Sequence, residues 1–192
     1  HGDRGSRDVA QDMHSHGGAV IKIDMIKGGA EIFTKGHRNP QGIAINPRTG
    51  DIWVNEHGPR GGDEINILEH AANYGWPVVS HGREYSGRQV GDGLKSKTGM
   101  ADPVWVWVPS IAPSAMAFYD ADMFPKLKGG VLVTSLKFRS LYHVALTDDL
   151  PKHEVSYLKR IVGRLRDVEV LPDGAILLLS DEAQGGVYKV WR

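Results

Sequence analysis

The sequence predicts an all-β protein of the β-propeller type. Three observations carry this expectation. Short apolar or alternating segments recur along the whole chain, with turn residues between them. The 24 glycines and 10 prolines are scattered through 192 residues and do not pool in a linker. One plan also repeats: GIAINPRTGDIWVNE at 42–56 and DVEVLPDGAILLLSDE at 167–182 each run strand, proline, glycine turn, strand, acid. A looser copy, AMAFYDADMFPKLKGGVLVTSLK, spans 115–137. Short alternating strands alone also suit a sandwich. Repeated units with irregular spacers favour the propeller, in which loops at one end of the blades converge on the axis.

In chain order, the strand candidates begin with AVIKID (19–24), GIAIN (42–46) and DIWVN (51–55). PVWVWV (103–108), AMAFYD (115–120) and GVLVTSL (130–136) follow. SLYHVAL (140–146), VSYLKRIV (155–162), DVEVL (167–171), AILLLS (175–180) and GVYKVW (186–191) complete the set. Each is rich in β-branched or aromatic residues and is bounded by glycine, proline, asparagine or aspartate. EINILEHAAN (64–73) is the best helix candidate, either one short helix or an irregular turn.

Composition narrows the partners. The 23 basic residues balance the 23 acidic ones, so nothing in the charge favours nucleic acid or an anionic membrane. No apolar run reaches the length of a membrane span. The absence of cysteine excludes disulfides and thiolate metal sites. The chain opens HGDRGSRD, without methionine or a signal-peptide pattern, and is expected to be a fragment or a processed chain.

Several polar stretches sit at strand ends. NEHGPRGGDEIN (55–66) places charged residues, three glycines and a proline directly after an apolar strand. It lacks the lysine and Ser/Thr of a phosphate-binding P-loop. A zinc site would draw on His57 with Glu56 or His37, and HSH at 14–16 adds imidazoles, yet no zinc-ligand spacing appears. Calcium is the third reading, since backbone carbonyls serve as hard oxygen ligands where glycine and proline bend the chain.

Other strand-end residues have ordinary alternatives. Arg38 and Asn39 before Pro40 read as a solvated turn, and Lys137 after GVLVTSL as a solvated strand terminus. Arg164 and Arg166 share one face of an extended strand, a costly pairing unless an anion or Asp167 relieves it. From spacing alone they read as protective charges on an edge strand.

Taken together, the motifs say more. GHRNPQGIAINP (36–47), NEHGPRGGDEINI (55–67), NYGWP (73–77), PSIAPSAMAFY (109–119), SLK (135–137) and RLRDV with PDG (164–174) follow one another in this order. GDRG (2–5), AQD (10–12) and HGGAVIKID (16–24) extend the series. This set resembles the soluble quinoprotein glucose/sorbosone dehydrogenases, with their aldose sugar dehydrogenase branch, over essentially the whole chain. The resemblance implies a six-bladed propeller holding pyrroloquinoline quinone (PQQ) and calcium near its axis. It also implies oxidation of aldose sugars at the anomeric carbon to lactones, with electrons passed to an external acceptor in the periplasm or outside the cell.

Residue by residue, the resemblance places Arg38 beside the quinone oxygens, where it stabilises negative charge as hydride arrives. Asn39 and Ser110 become polar cofactor contacts, and Lys137, Arg164 and Arg166 partners of the PQQ carboxylates. The Gly58 and Pro59 carbonyls are implied ligands of the cofactor's calcium. Glu64 and the Tyr74 carbonyl are implied ligands of a second, structural calcium with Asp63 nearby. Arg4 stands where some members carry a cofactor-binding glutamine, so that contact is not transferred. Trp105 and Trp107 fit core or cofactor wall equally and are assigned neither role.

The match begins partway through the family's length. Residues 1–192 are therefore expected to form the C-terminal part of one propeller domain. The N-terminal blades and the histidine general base are expected upstream, and none of the nine histidines here inherits that role. An incomplete propeller leaves open edges, from which self-association or completion by another chain is expected. The rival reading is a non-catalytic propeller segment that serves as a binding module.

Overall fold

The computed structural model describes every residue of the chain except Arg4, and the Arg4 reading lies outside the described residues. After a short 3₁₀ turn at Arg7–Gln11, the described chain is built from strands. They are β1 (Ala19–Ile23), β2 (Ala30–Lys35), β3 (Pro40–Ile45), β4 (Ile52–Glu56), β5 (Asp63–Leu68) and β6 (Trp105–Trp107). The later ones are β7 (Pro113–Tyr119), β8 (Gly130–Ser135), β9 (Ser140–Thr147), β10 (Leu150–Tyr157), β11 (Leu165–Val170), β12 (Ile176–Ser180) and β13 (Val187–Val190). Their sheet orders are β1-β2, β3-β4-β5-β6, β10-β9-β8-β7 and β11-β12-β13. Among the described residues no helix is long and apolar enough to cross a membrane. The chain is all-β.

Two compact units emerge: His1–Pro40 with Glu56–Ser110, and Gln41–Asn55 with Ile111–Arg192. In the first, β1 and β2 pair antiparallel with a register shift between Val20 and Ile21. β5 pairs with β6, setting Asp63 opposite Trp107 and Ile65 opposite Trp105. Long turn-rich connections follow, and Ala10, Trp76 and Val90 form a small buried cluster among them.

The second unit holds the larger core. β8 is buried at all six positions, which explains why GVLVTS shows no polar face. Val131, Leu132 and Val133 have no exposed surface. Burial of each is worth about 1.5–3 kcal/mol. Leu132, Leu141, Leu165, Val168, Ile176 and Leu178 pack into one cluster with Tyr119. Polar ties fix the packing: the Ser114 hydroxyl donates to the Leu165 carbonyl at 2.7 Å, and the Tyr119 hydroxyl to the Gly174 carbonyl at 2.7 Å.

The structure revises some elements. Residues 64–68 lie in strand β5, not in a helix, because the ladder to β6 and burial on both faces outweigh a weak helical pattern. β10 runs Leu150–Tyr157, earlier than the expected 155–162, since Leu158 and Arg160 adopt left-handed backbone with φ of 54° and 58°. β2, in AEIFTK, was not among the expected strands. β6 is shorter than 103–108, and Pro103 and Pro109 flank it without an N–H to extend the ladder.

Candidate functional site

The site in the first unit is built where β2 ends. Gly36 turns the chain with φ of +79°, and a Cβ there would strike Asn73 and the backbone of Tyr74 and Gly75. Only glycine allows this approach. The NYGWP strap holds the turn, with Tyr74 N–H donating to the Lys35 carbonyl at 2.8 Å and Trp76 N–H to the Gly36 carbonyl at 2.9 Å.

His37 follows, with no exposed surface. Its Nδ1 lies 2.7 Å from Glu56 Oε1, its Nε2 lies 2.9 Å from the Thr34 hydroxyl, and its ring stacks on Tyr74 at 4.8 Å. Glu56, the last residue of β4, is only 3% exposed. Its Oε2 accepts from the Arg38 N–H at 2.7 Å and the Asn39 N–H at 3.2 Å, and its Oε1 also accepts from Asn66 Nδ2 at 3.1 Å. Burial opposes ionisation of Glu56, but His37 and the hydrogen bonds from His37, Arg38 and Asn39 outweigh it and hold the carboxyl below its ordinary range.

The Arg38 guanidinium is fixed as well. Nη1 donates to the carbonyls of His57 at 3.1 Å and Gly58 at 3.0 Å. The guanidinium carbon lies 5.3 Å from the centre of the Trp76 ring, and that of Arg7 lies 5.2 Å from it. Trp76 Nε1 donates to Asp3 at 2.7 Å, and Arg7 is paired through both amino groups with Glu84.

The 58–63 loop closes on itself. Gly58 N–H donates to Asp63 Oδ1 at 2.9 Å, the Ser110 hydroxyl donates to the same oxygen at 2.8 Å, and Gly61 N–H donates to that hydroxyl at 3.0 Å. A Cβ at Gly58 would overlap the Gly61 and Gly62 carbonyls. Asp63 and Ser110 hold the loop in shape through these bonds.

A cavity of about 20 Å³ lies against this loop, lined by Glu56, Glu64, Tyr74, Gly58 and Gly62 among others. It has room for one water-sized particle. Burial, then the charges of Glu56 and Asp63, hold the Glu64 carboxyl well above its ordinary range against a hydrogen bond from Asn66. Asn66 Oδ1 is buried without a partner. Surplus negative charge around hard oxygens fits calcium, which would relieve it. No group of three or more His, Asp or Glu side chains among the described residues is arranged for a metal, so backbone carbonyls must supply part of any ligand set.

In the second unit, Arg164 and Arg166 both reach Asp181 Oδ2, at 3.4 Å and 2.7 Å. Asp181, not Asp167, relieves their repulsion; the Asp167 carboxylate instead accepts from Val168 N–H at 2.9 Å. Lys137 is exposed, with Nζ 5.1 Å from the centre of the Phe138 ring.

Each repeat uses the same lock. The residues after its second strand bind back to the segment before its first. His57 N–H donates to the Asn39 carbonyl at 3.1 Å, Lys137 N–H to the Ile111 carbonyl at 3.3 Å, and Asp181 N–H to the Arg164 carbonyl at 2.7 Å. Arg38, Asn39, Gly58, Ser110, Lys137 and Arg164 all fall at or beside these locks, with Arg166 in the adjoining strand. Glu56 and Asp181, which organise two of them, were not assigned from sequence. The acid that closes each of the two clearer repeats was the available signal.

Residues 1–189 match the family model for glucose/sorbosone dehydrogenase. The chain belongs to this family. Among glucose/sorbosone dehydrogenase relatives, the aldose sugar dehydrogenase YliI of Escherichia coli is 36% identical over 203 residues, covering 98% of this chain and 55% of that protein. A crystal structure of glucose dehydrogenase superposes with a TM-score of 0.91 at 34% identity, over 100% of this chain and 59% of the other. The PQQ-bound aldose sugar dehydrogenase of Streptomyces coelicolor shares the fold, with a TM-score of 0.74 at 23% identity over 98% of this chain and 56% of its own. The chain thus spans about half the length of the relatives it matches, and its strands correspond to part of their six-bladed propeller.

Proposed function

We propose that residues 1–192 are the C-terminal part of the propeller of a PQQ- and calcium-dependent dehydrogenase. It oxidises aldose sugars at the anomeric carbon to lactones and works in the periplasm or as a secreted protein. The supporting observation is the common position of Arg38, Asn39, Gly58, Ser110, Lys137 and Arg164, at or beside one end of the first two strands in three separate repeats. Blade-end loops are where propellers build ligand sites.

When bound, PQQ supplies the hydride acceptor, and the protein supplies position and field. Arg38 carries a permanent charge suited to negative charge developing on that acceptor. Asn39 and Ser110 provide polar contacts, while Lys137, Arg164 and Arg166 provide cations for carboxylates. The Gly58 and Pro59 carbonyls would hold the calcium that serves the cofactor, and Glu64 with the Tyr74 carbonyl would hold the second. An external acceptor would take up the electrons that the cofactor receives. Self-association or completion by another chain fits the exposed Val187 and Trp191, which lie at 68% and 67% exposure at and beside the edge strand β13.

The test is an absorbance titration of the chain with PQQ, with and without calcium. Saturable, calcium-dependent binding that is lost in Arg38→Ala is expected. A chain that takes up no PQQ at any calcium concentration would leave the binding-module reading in its place.

A further inference from the structure

The geometry points to Glu56 as the positioning residue of the site, one carboxylate that sets Arg38 and, through Asn66, reaches the carboxylate assigned to calcium. This rests on the cofactor role given above to Arg38. Four donors converge on Glu56: His37 and Asn66 on Oε1, and the backbone N–H groups of Arg38 and Asn39 on Oε2. Asn66 Nδ2 also donates to Glu64 Oε1 at 3.0 Å. The arginine loop and the metal loop therefore share a buried anion.

The arrangement needs an ionised carboxylate, because only an acceptor without N–H groups can face four donors. A glutamine would offer one acceptor oxygen and would turn an NH₂ group against either the Arg38–Asn39 backbone or the His37–Asn66 pair. Charge-assisted hydrogen bonds are also the stronger ones, and they act here on a carboxylate that is almost fully buried. His37 has no freedom of its own, since Thr34 holds its other nitrogen and Tyr74 covers its face. A shift at Glu56 would pass directly to the arginine backbone.

The experiment uses the whole chain and its Glu56→Gln variant. The first readout is the Arg38 Nε–Hε resonance in ¹H–¹⁵N spectra, assigned by its loss in Arg38→Lys. It should move or broaden in Glu56→Gln without any cofactor present. The second is PQQ affinity in calcium. Glu56→Gln should weaken it by about 10- to 100-fold, and by less than about 3-fold when Arg38 is already alanine. Such non-additivity marks a residue that acts through another. Equal weakening in both backgrounds, or an unmoved Arg38 resonance in folded Glu56→Gln, overturns the proposal. If circular dichroism shows that Glu56→Gln does not fold, Thr34→Val decides: the Arg38 resonance must still shift, and an unmoved one overturns the proposal. Should the wild-type chain bind no PQQ, the cofactor reading fails by itself, while the resonance still reports whether Glu56 holds Arg38.

Discussion

Asp181 shows how a single carboxylate changes the meaning of its neighbours. Sequence spacing put Arg164 and Arg166 on one face and left their repulsion to a ligand or to Asp167. In the fold, Asp181 takes both at one oxygen, and the two arginines in turn hold its carboxyl below the ordinary range. Any anionic ligand of this pair must share it with Asp181 or displace it. Asp181→Asn should therefore tighten PQQ binding several-fold and steepen its salt dependence, as measured by calorimetric titration at two ionic strengths. Weaker binding in the variant would show that Asp181 positions the arginines and does not compete for them. Arg38 and Asn39 could be proposed from the sequence because they sit inside an ordered motif. Glu56 and Asp181 could not, since each finds its partners 10 to 19 residues away in the chain, and a carboxylate at a strand end ordinarily reads as solvated.

Among the elements, the strands were legible wherever an apolar run or alternation met turn residues, as in β3, β4, β7, β8 and β12. The helix reading of EINILEHAAN failed over 64–68 because mixed apolar spacing in ten residues cannot reveal β6, which lies about forty residues on and supplies the ladder. β9 carries a further consequence. His143 is 4% exposed and its Nε2 lies 3.0 Å from the Leu127 carbonyl, which requires Nε2 to carry the proton. Burial holds its pKa below the ordinary value; the Leu127 carbonyl opposes this and the neighbouring His153 adds to it. The unfolded chain therefore takes up a proton at higher pH than the folded one, so stability falls as pH drops from about 6.5 toward the lower folded value. Thermal unfolding between about pH 7 and pH 5 should show that decline, and His143→Gln should flatten it. An unchanged slope would assign the acid sensitivity to other groups.

For the molecule as a whole, the family and its fold were legible because several polar motifs keep both order and spacing over nearly the entire chain. Activity is a separate matter, since the chain spans about half the length of its relatives and none of its nine histidines is assigned as base. The chain loaded with PQQ and calcium is expected to give no sugar-dependent dye reduction. Steady turnover on glucose would reveal a proton acceptor among the residues present. Binding and turnover should thus separate, with the first present and the second missing.

The Gly58 carbonyl joins two of these themes. It accepts from the Arg38 guanidinium at 3.0 Å, and it is also the oxygen proposed for the cofactor's calcium. Metal loading and arginine placement are then reciprocal: whatever factor Arg38 contributes to calcium affinity, calcium contributes equally to the hold on Arg38. Two positive charges drawing on one oxygen oppose each other, so removing the cation would tighten the hold on Arg38, and removing Arg38 would raise the affinity of that oxygen for calcium. The two functions share one thermodynamic cycle through a single backbone oxygen.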